Sequence, residues 1–129
     1  MSVKNLFIAT GIVCLFFGIM LVFCQDALAK TLLTDPTHTA NSTALSYGYG
    51  VLLISIGLAV FAARNSVPSA ARRGYLIQIT LSGLATAGFD IHDIMSGVCK
   101  SAQWGTVAIV GLLGLWGLAK LLTERSATA

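Results

Sequence analysis

Four apolar runs, at residues 6–23, 44–63, 75–89 and 104–122, divide a chain of only 129 residues. A helix rises about 1.5 Å per residue, so roughly 20 apolar residues cross a hydrocarbon layer about 30 Å thick. Four such spans leave almost no chain for a domain in water. The expected fold is all-α: a polytopic membrane protein, one domain over residues 1–129, built as a left-handed antiparallel four-transmembrane-helix bundle. The expected helices cover about 4–28, 44–63, 74–93 and 104–122. Composition supports this, because only 10% of residues are charged and 56% are apolar, whereas soluble domains carry about 25% charged residues. A water-facing polar shell cannot be built from so few charges.

The placement of the charges predicts the orientation. Lys4, Arg64, Arg72, Arg73, Lys120 and Arg125 fall at the N-terminus, the second loop and the C-terminus. Only Lys30 and Lys100 fall in the other two loops. Excess Lys and Arg in short loops marks the cytoplasmic side, so both termini are expected in the cytoplasm, or on the matrix-like side of an organellar membrane. Asp26, Asp35, Asp90 and Asp93 all fall on the outer side. Tyr47, Tyr49 and Trp104 suit outer boundaries and Tyr75 an inner one. The expected location is a bacterial inner membrane. The basic residues are too dispersed for a nucleic-acid footprint, and no nucleic-acid partner is expected.

The first run resembles a secretion signal, with Lys4 ahead of it and Ala27-Leu28-Ala29 behind. Its apolar stretch nevertheless exceeds the roughly 7–15 residues of a signal's core. Phe23 also occupies the position before Cys24 where a lipoprotein signal needs a small residue. A retained helix is expected. The first loop, residues 30–46, is the longest and most polar, with Asp35-Pro36 turning the chain away from helix.

Small residues mark where helices can touch, since close packing drives association in lipid. Thr10, Cys14 and Gly18 recur on helix one, Gly50 and Gly57 on helix two, Gly83 and Ala87 on helix three, and Gly111, Gly114 and Gly117 on helix four. They serve either packing inside the bundle or contact with a second copy or other membrane subunits.

Helix three has the one polar stripe within a span. Gln78, Ser82, Thr86, Asp90 and Asp93 fall within about 120° of each other at 100° per residue, with His92 just outside. Such a face should look into the bundle, lining a proton or solute path or holding helices by hydrogen bonds. Asp90, His92 and Asp93, with Asp26, Asp35 and His38 on the same side, include ligand types suited to Zn²⁺, Cu²⁺ or Mn²⁺. The spacing carries no metal signature, and a solvated outer rim, ion pairing with Lys100 or Lys30, and a divalent metal at the rim all stay open. No cofactor is otherwise expected.

Cys24 and Cys99 both fall on the outer side, where a Cys24–Cys99 disulfide competes with free thiols. Cys14 should be an inert filler. Asn41-Ser42-Thr43 is a formal glycosylation sequon that matters only in a secretory eukaryotic setting. No Gly-rich phosphate loop, nucleophile elbow, HExxH motif or haem-ligating His pair occurs.

Asp35-Pro36 after helix one, Tyr47-Gly48-Tyr49-Gly50 opening helix two, Gly57-Leu58-Ala59 within it and Ala62-Ala63-Arg64 at its inner end resemble the DoxX-like group of small bacterial four-helix membrane proteins. The resemblance spans about residues 5–120. It implies a fold more than an activity, since some members accompany quinol-linked redox enzymes. Tyr49 departs from the second Gly of that motif, and Asp90 and His92 lie where the group often has an Arg. The expected function is a non-catalytic structural or accessory subunit of a larger membrane complex, with a redox or energy-converting assembly as one candidate. The alternative is an outer-leaflet membrane enzyme or transport element that uses the polar stripe. A trimeric glutathione-linked lipid enzyme fits less well, because its anionic cofactor would need a basic pocket within the bundle.

Overall fold

A computed structural model describes residues 2–37 and 40–126, without the side chains of residues 40, 41, 125 and 126. His38 and the side chains of Asn41 and Arg125 therefore lie outside the described residues. Every named element is helical: α1 (Val3–Phe23), α2 (Gln25–Leu32), α3 (Ala40–Ala62), α4 (Ala70–Met95) and α5 (Trp104–Ser126), with short 3-10 turns at Ala63–Asn65 and Ser101–Gln103. Ser2 caps α1 by accepting from the Asn5 amide at 3.2 Å. Ser69, directly after Pro68, caps α4 by accepting from the Arg72 amide at 3.3 Å.

The long helices pack as two antiparallel pairs, α1 with α3 and α4 with α5. Small residues set the register of both. A Cβ on Gly18 would come 2.8 Å from the Gly50 carbonyl oxygen, and one on Gly11 would come 3.2 Å from that of Gly57. In the second pair, a Cβ on Gly117 would meet Thr80 Oγ1 at 2.8 Å, while Gly111 lies opposite Ala87. Thus the small-residue faces read from the sequence are used inside the molecule.

The buried core sits at one end, where α1 begins, α3 ends, α4 begins and α5 ends. Leu6, Phe7, Val60 and Leu76 are its fully buried side chains, joined by Val3 and Ile79. Phe7 meets Tyr75 edge to face with ring centroids 6.0 Å apart. Lys4, Arg64, Arg72, Arg73 and Lys120 belong to the same end of these helices. Arg72 pairs with Glu124 at 2.5 Å and also donates to the Ser66 carbonyl oxygen at 2.9 Å.

The flanks of the molecule are apolar. Phe16, Phe23, Leu45, Phe89, Met95 and Leu112 are each more than half exposed. Exposed apolar surface on this scale marks a membrane or protein interface. Three helical stretches, Val3–Phe23, Ser42–Asn65 and Ser101–Glu124, are long and apolar enough to cross a membrane. At 26 residues α4 is longer still, about 39 Å. It does not reach the same apolar standard, because Gln78, Thr80, Ser82, Thr86 and Asp90 interrupt it.

The first helix differs from expectation. It stops at Phe23, and Cys24, with φ −127° and ψ 31°, leaves the helical region before α2 starts. The apolar character of α1 gives way there to Gln25, Asp26 and Lys30, so the chain turns to lay a short amphipathic helix across the bundle end. Lys100 N donates to Leu32 O at 2.7 Å and Thr34 N to Val98 O at 3.0 Å, stitching α2 to the α4–α5 connection. That connection is shaped by Gly97, whose φ of +78° suits glycine, and by the Asp93 carbonyl, which accepts from both the Val98 and Cys99 amides. Asp35 accepts from the Thr37 amide at 3.1 Å in a local turn that holds its carboxyl below the usual range.

Candidate functional site

Between the two helix pairs lies a cavity of about 270 Å³. It follows from the register just described. Gly11–Gly57 and Gly83–Gly114 draw each pair together, and the space between the pairs is left to side chains of mixed size. Along α4 it runs from Ile79 to Asp90, eleven residues or about 16 Å. Its length is walled mainly by apolar groups, including Val13, Phe17 and Leu21 of α1, Leu53 of α3 and Val110 and Leu113 of α5, with the buried Thr10 hydroxyl of α1 among them, also without a partner among the described residues. Leu28 and Leu32 of α2 cover the end nearest the α4–α5 connection. The break at Cys24 is what brings them there.

Polar groups gather at that same end. Tyr49, Thr86, Asp90, Gln103 and Thr106 face the cavity from α3, α4, the Ser101–Gln103 turn and α5. The Gln103 side chain lies within interaction range of the Asp90 carboxylate, and Tyr49 within that of Thr86. Since a carboxylate only accepts, the Gln103 amide is the group of the two that can donate. Asp90 Oδ2 and Gln103 Oε1 are both buried and have no hydrogen-bond partner among the described residues. Gln103 is only 8% exposed. Leaving a buried acceptor unmatched costs about 1–3 kcal/mol, and more for a charged one. Deeper along α4, Ser82 directs its hydroxyl proton to the Gln78 carbonyl oxygen at 2.7 Å, so it offers the cavity a lone pair. Among the described residues, no Lys, Arg or His lines the space.

The polar stripe of α4 is therefore divided. Ser82, Thr86 and Asp90 line the cavity together, whereas Gln78 is half-buried outside its lining. His92 and Asp93 face outward, with His92 Nδ1 3.4 Å from Asp93 Oδ1 and the His92 side chain 78% exposed. Asp90, His92 and Asp93 thus do not converge. Among the described residues no group of three or more His, Cys, Asp or Glu side chains is placed to hold a metal ion. Lys100 sends its ammonium to the Lys30 carbonyl oxygen at 2.6 Å rather than pairing with the rim carboxylates. Cys14, Cys24 and Cys99 are all free thiols, so the Cys24–Cys99 bridge is not formed.

Tyr49, Gln103 and Thr106 escape a reading based on span composition. Tyr49 suggests a boundary anchor, and Gln103 lies in a connection just before the apolar run that starts at Trp104. The available signal is rotational: Tyr49 adjoins Gly50, which is pressed against α1, so Tyr49 stands about 100° round the helix from that contact. Comparison of the chain with protein-family models, with curated proteins and with solved structures finds no match.

Proposed function

We propose that this chain is an integral membrane protein of four spans that binds a small amphipathic molecule between its helix pairs, as a binding or transport element opening toward the outer leaflet. The observation that carries this reading is a 270 Å³ cavity with mainly apolar walls and most of its polar side chains gathered toward one end. Small-molecule sites typically have volumes of about 300–1,000 Å³, with apolar walls and a few convergent polar groups. This one suits a compact ligand. α4 serves as the fourth span because Ser82, Thr86 and Asp90 turn inward while Ile77, Leu81 and Phe89 are exposed outward. Asp90 lies seventeen residues beyond Arg73, about 25 Å along the axis, near the outer edge of the hydrocarbon. Both termini then lie with the basic residues on the cytoplasmic side of a bacterial inner membrane.

The test is thermal stability of the protein in nanodiscs with added single-chain octyl amphiphiles. The wild type gains several degrees in Tm. Val110→Phe, which fills the cavity from α5, gains none. An equal response from both proteins rejects the cavity as the binding site.

A second reading, the accessory subunit of a larger redox or energy-converting assembly, draws on the outer face of α3. Ala44, Leu45, Gly48 and Leu52 form a shallow groove there, and Gly48 has no neighbour over its Cα. Such a groove suits a helix ridge from another membrane subunit, in keeping with the DoxX-like motifs. Purification in mild detergent separates the readings: stoichiometric larger partners support the subunit role, and a stable isolated chain supports the binding element.

A further inference from the structure

We propose that the ligand of this cavity is a small organic ammonium ion with an apolar tail, its charged nitrogen donating to Asp90 and Gln103. The proposal rests on the binding reading above and specifies the head group. Its basis is the hydrogen-bond inventory at the polar end. Asp90 Oδ2 and Gln103 Oε1 are adjacent, buried acceptors without donors among the described residues. Gln103 is only 8% exposed, so its missing donor must come from whatever occupies the cavity rather than from the outer surface. Ser82 has already committed its proton to the Gln78 carbonyl oxygen.

Charge points the same way. Asp90 is half-buried with its Oδ2 shielded, a setting that favours a counter-charge, and among the described residues no Lys, Arg or His side chain faces the cavity. Lys100, the basic residue on the adjoining connection, is engaged at the Lys30 carbonyl oxygen. The charged neighbour that bears on Asp90 is Asp93, a second acid. An N–H-bearing cation supplies both the donors and the charge that the site lacks. An alcohol supplies one donor and no charge, and a carboxylate is repelled. The apolar remainder, walled by Phe17, Leu53 and Val110, accommodates the tail.

The experiment compares octylammonium, 1-octanol and octanoate, equal in tail and different in head, by equilibrium binding to the full chain in zwitterionic nanodiscs at neutral pH. Empty nanodiscs provide the partitioning baseline. Octylammonium is expected to bind at least tenfold more tightly than octanol, with no saturable binding of octanoate. Asp90→Asn should weaken octylammonium at least tenfold and change octanol by less than twofold. Asp93→Asn, which alters an outward-facing acid, should change either ligand by less than twofold. Gln103→Leu removes the second acceptor and should weaken octylammonium at least threefold, which keeps the test decisive if Asp90→Asn fails to fold. Equal binding of octanol and octylammonium, or tightest binding of octanoate, overturns the ammonium assignment while leaving the cavity reading intact. Octylammonium binding that survives both Asp90→Asn and Gln103→Leu also overturns it. If Val110→Phe leaves the binding of all three unchanged, the cavity reading itself fails.

Discussion

A Cβ placed on Gly83 would stand 2.8 Å from the Cα of Gly114, so α4 and α5 meet there backbone against backbone. The same atom would lie 2.7 Å from the Val110 carbonyl oxygen, and no flexible side chain is available to yield. Close backbone contact replaces the hydrophobic driving force that helices lack in lipid.

Gly83→Ala and Gly114→Ala should therefore each destabilise the fold by about 1–3 kcal/mol through overpacking. Gly88 has no atom within 4 Å of an added Cβ. Gly88→Ala should be neutral or stabilising by up to about 1 kcal/mol from helix propensity. Reversible unfolding in mixed micelles measures all three, and equal effects at Gly83 and Gly88 would contradict the contact.

Arg72 and Glu124 tie the start of α4 to the end of α5, with side chains 17% and 23% exposed. A double-mutant cycle with Arg72→Gln and Glu124→Gln should return a coupling of about 1 kcal/mol, at the upper end for surface pairs because both groups are largely shielded. A coupling near zero would show that the two side chains act independently.

Cys24 is exposed, Cys99 is partly exposed, and Cys14 lines the cavity. A membrane-impermeant maleimide applied from the outer side should modify Cys24 and Cys99 and spare Cys14. Peptide mapping without reductant should find Cys24 and Cys99 separately alkylated. Modification of Cys99 from the side that exposes Arg72 would reverse the proposed topology.

Partial burial and the nearby Asp93 and Asp90 carboxylates push the Cys99 thiol up from its ordinary range. The reactive species is the thiolate, so a raised pKa moves its alkylation profile to higher pH. The rate at Cys99 should reach half-maximum at a higher pH than that of a solvent-exposed cysteine peptide. Asp93→Asn should move the profile back toward it, and stopped-time alkylation with mass readout follows both.

Particular elements divide what was legible in the residues from what was not. The three most apolar helices and the gathering of most Lys and Arg at one end follow from the order of residues alone, since hydropathy and charge are local properties of the chain. The inward face of Ser82, Thr86 and Asp90 is also legible, because helical periodicity places those positions on one side. The rotamers and neighbours that separate His92 and Asp93 from Asp90 are not encoded in that period.

Tertiary structure alone decided three matters. It interrupted the first helix at Cys24 and folded Leu28 and Leu32 over the cavity, an outcome held by the Leu32 and Thr34 backbone bonds to a connection more than sixty residues away. It assigned the small residues to internal contacts, which requires knowing which helix each faces. It also brought Gln103, on the turn before α5, to Asp90 on α4, a pairing that no periodicity contains. The residues by themselves determined an apolar, helical, charge-sorted chain, because burial preference acts position by position. The cavity and its unmatched acceptors arise only when four helices settle at a shared register, because a void belongs to the space between elements and to none of them singly.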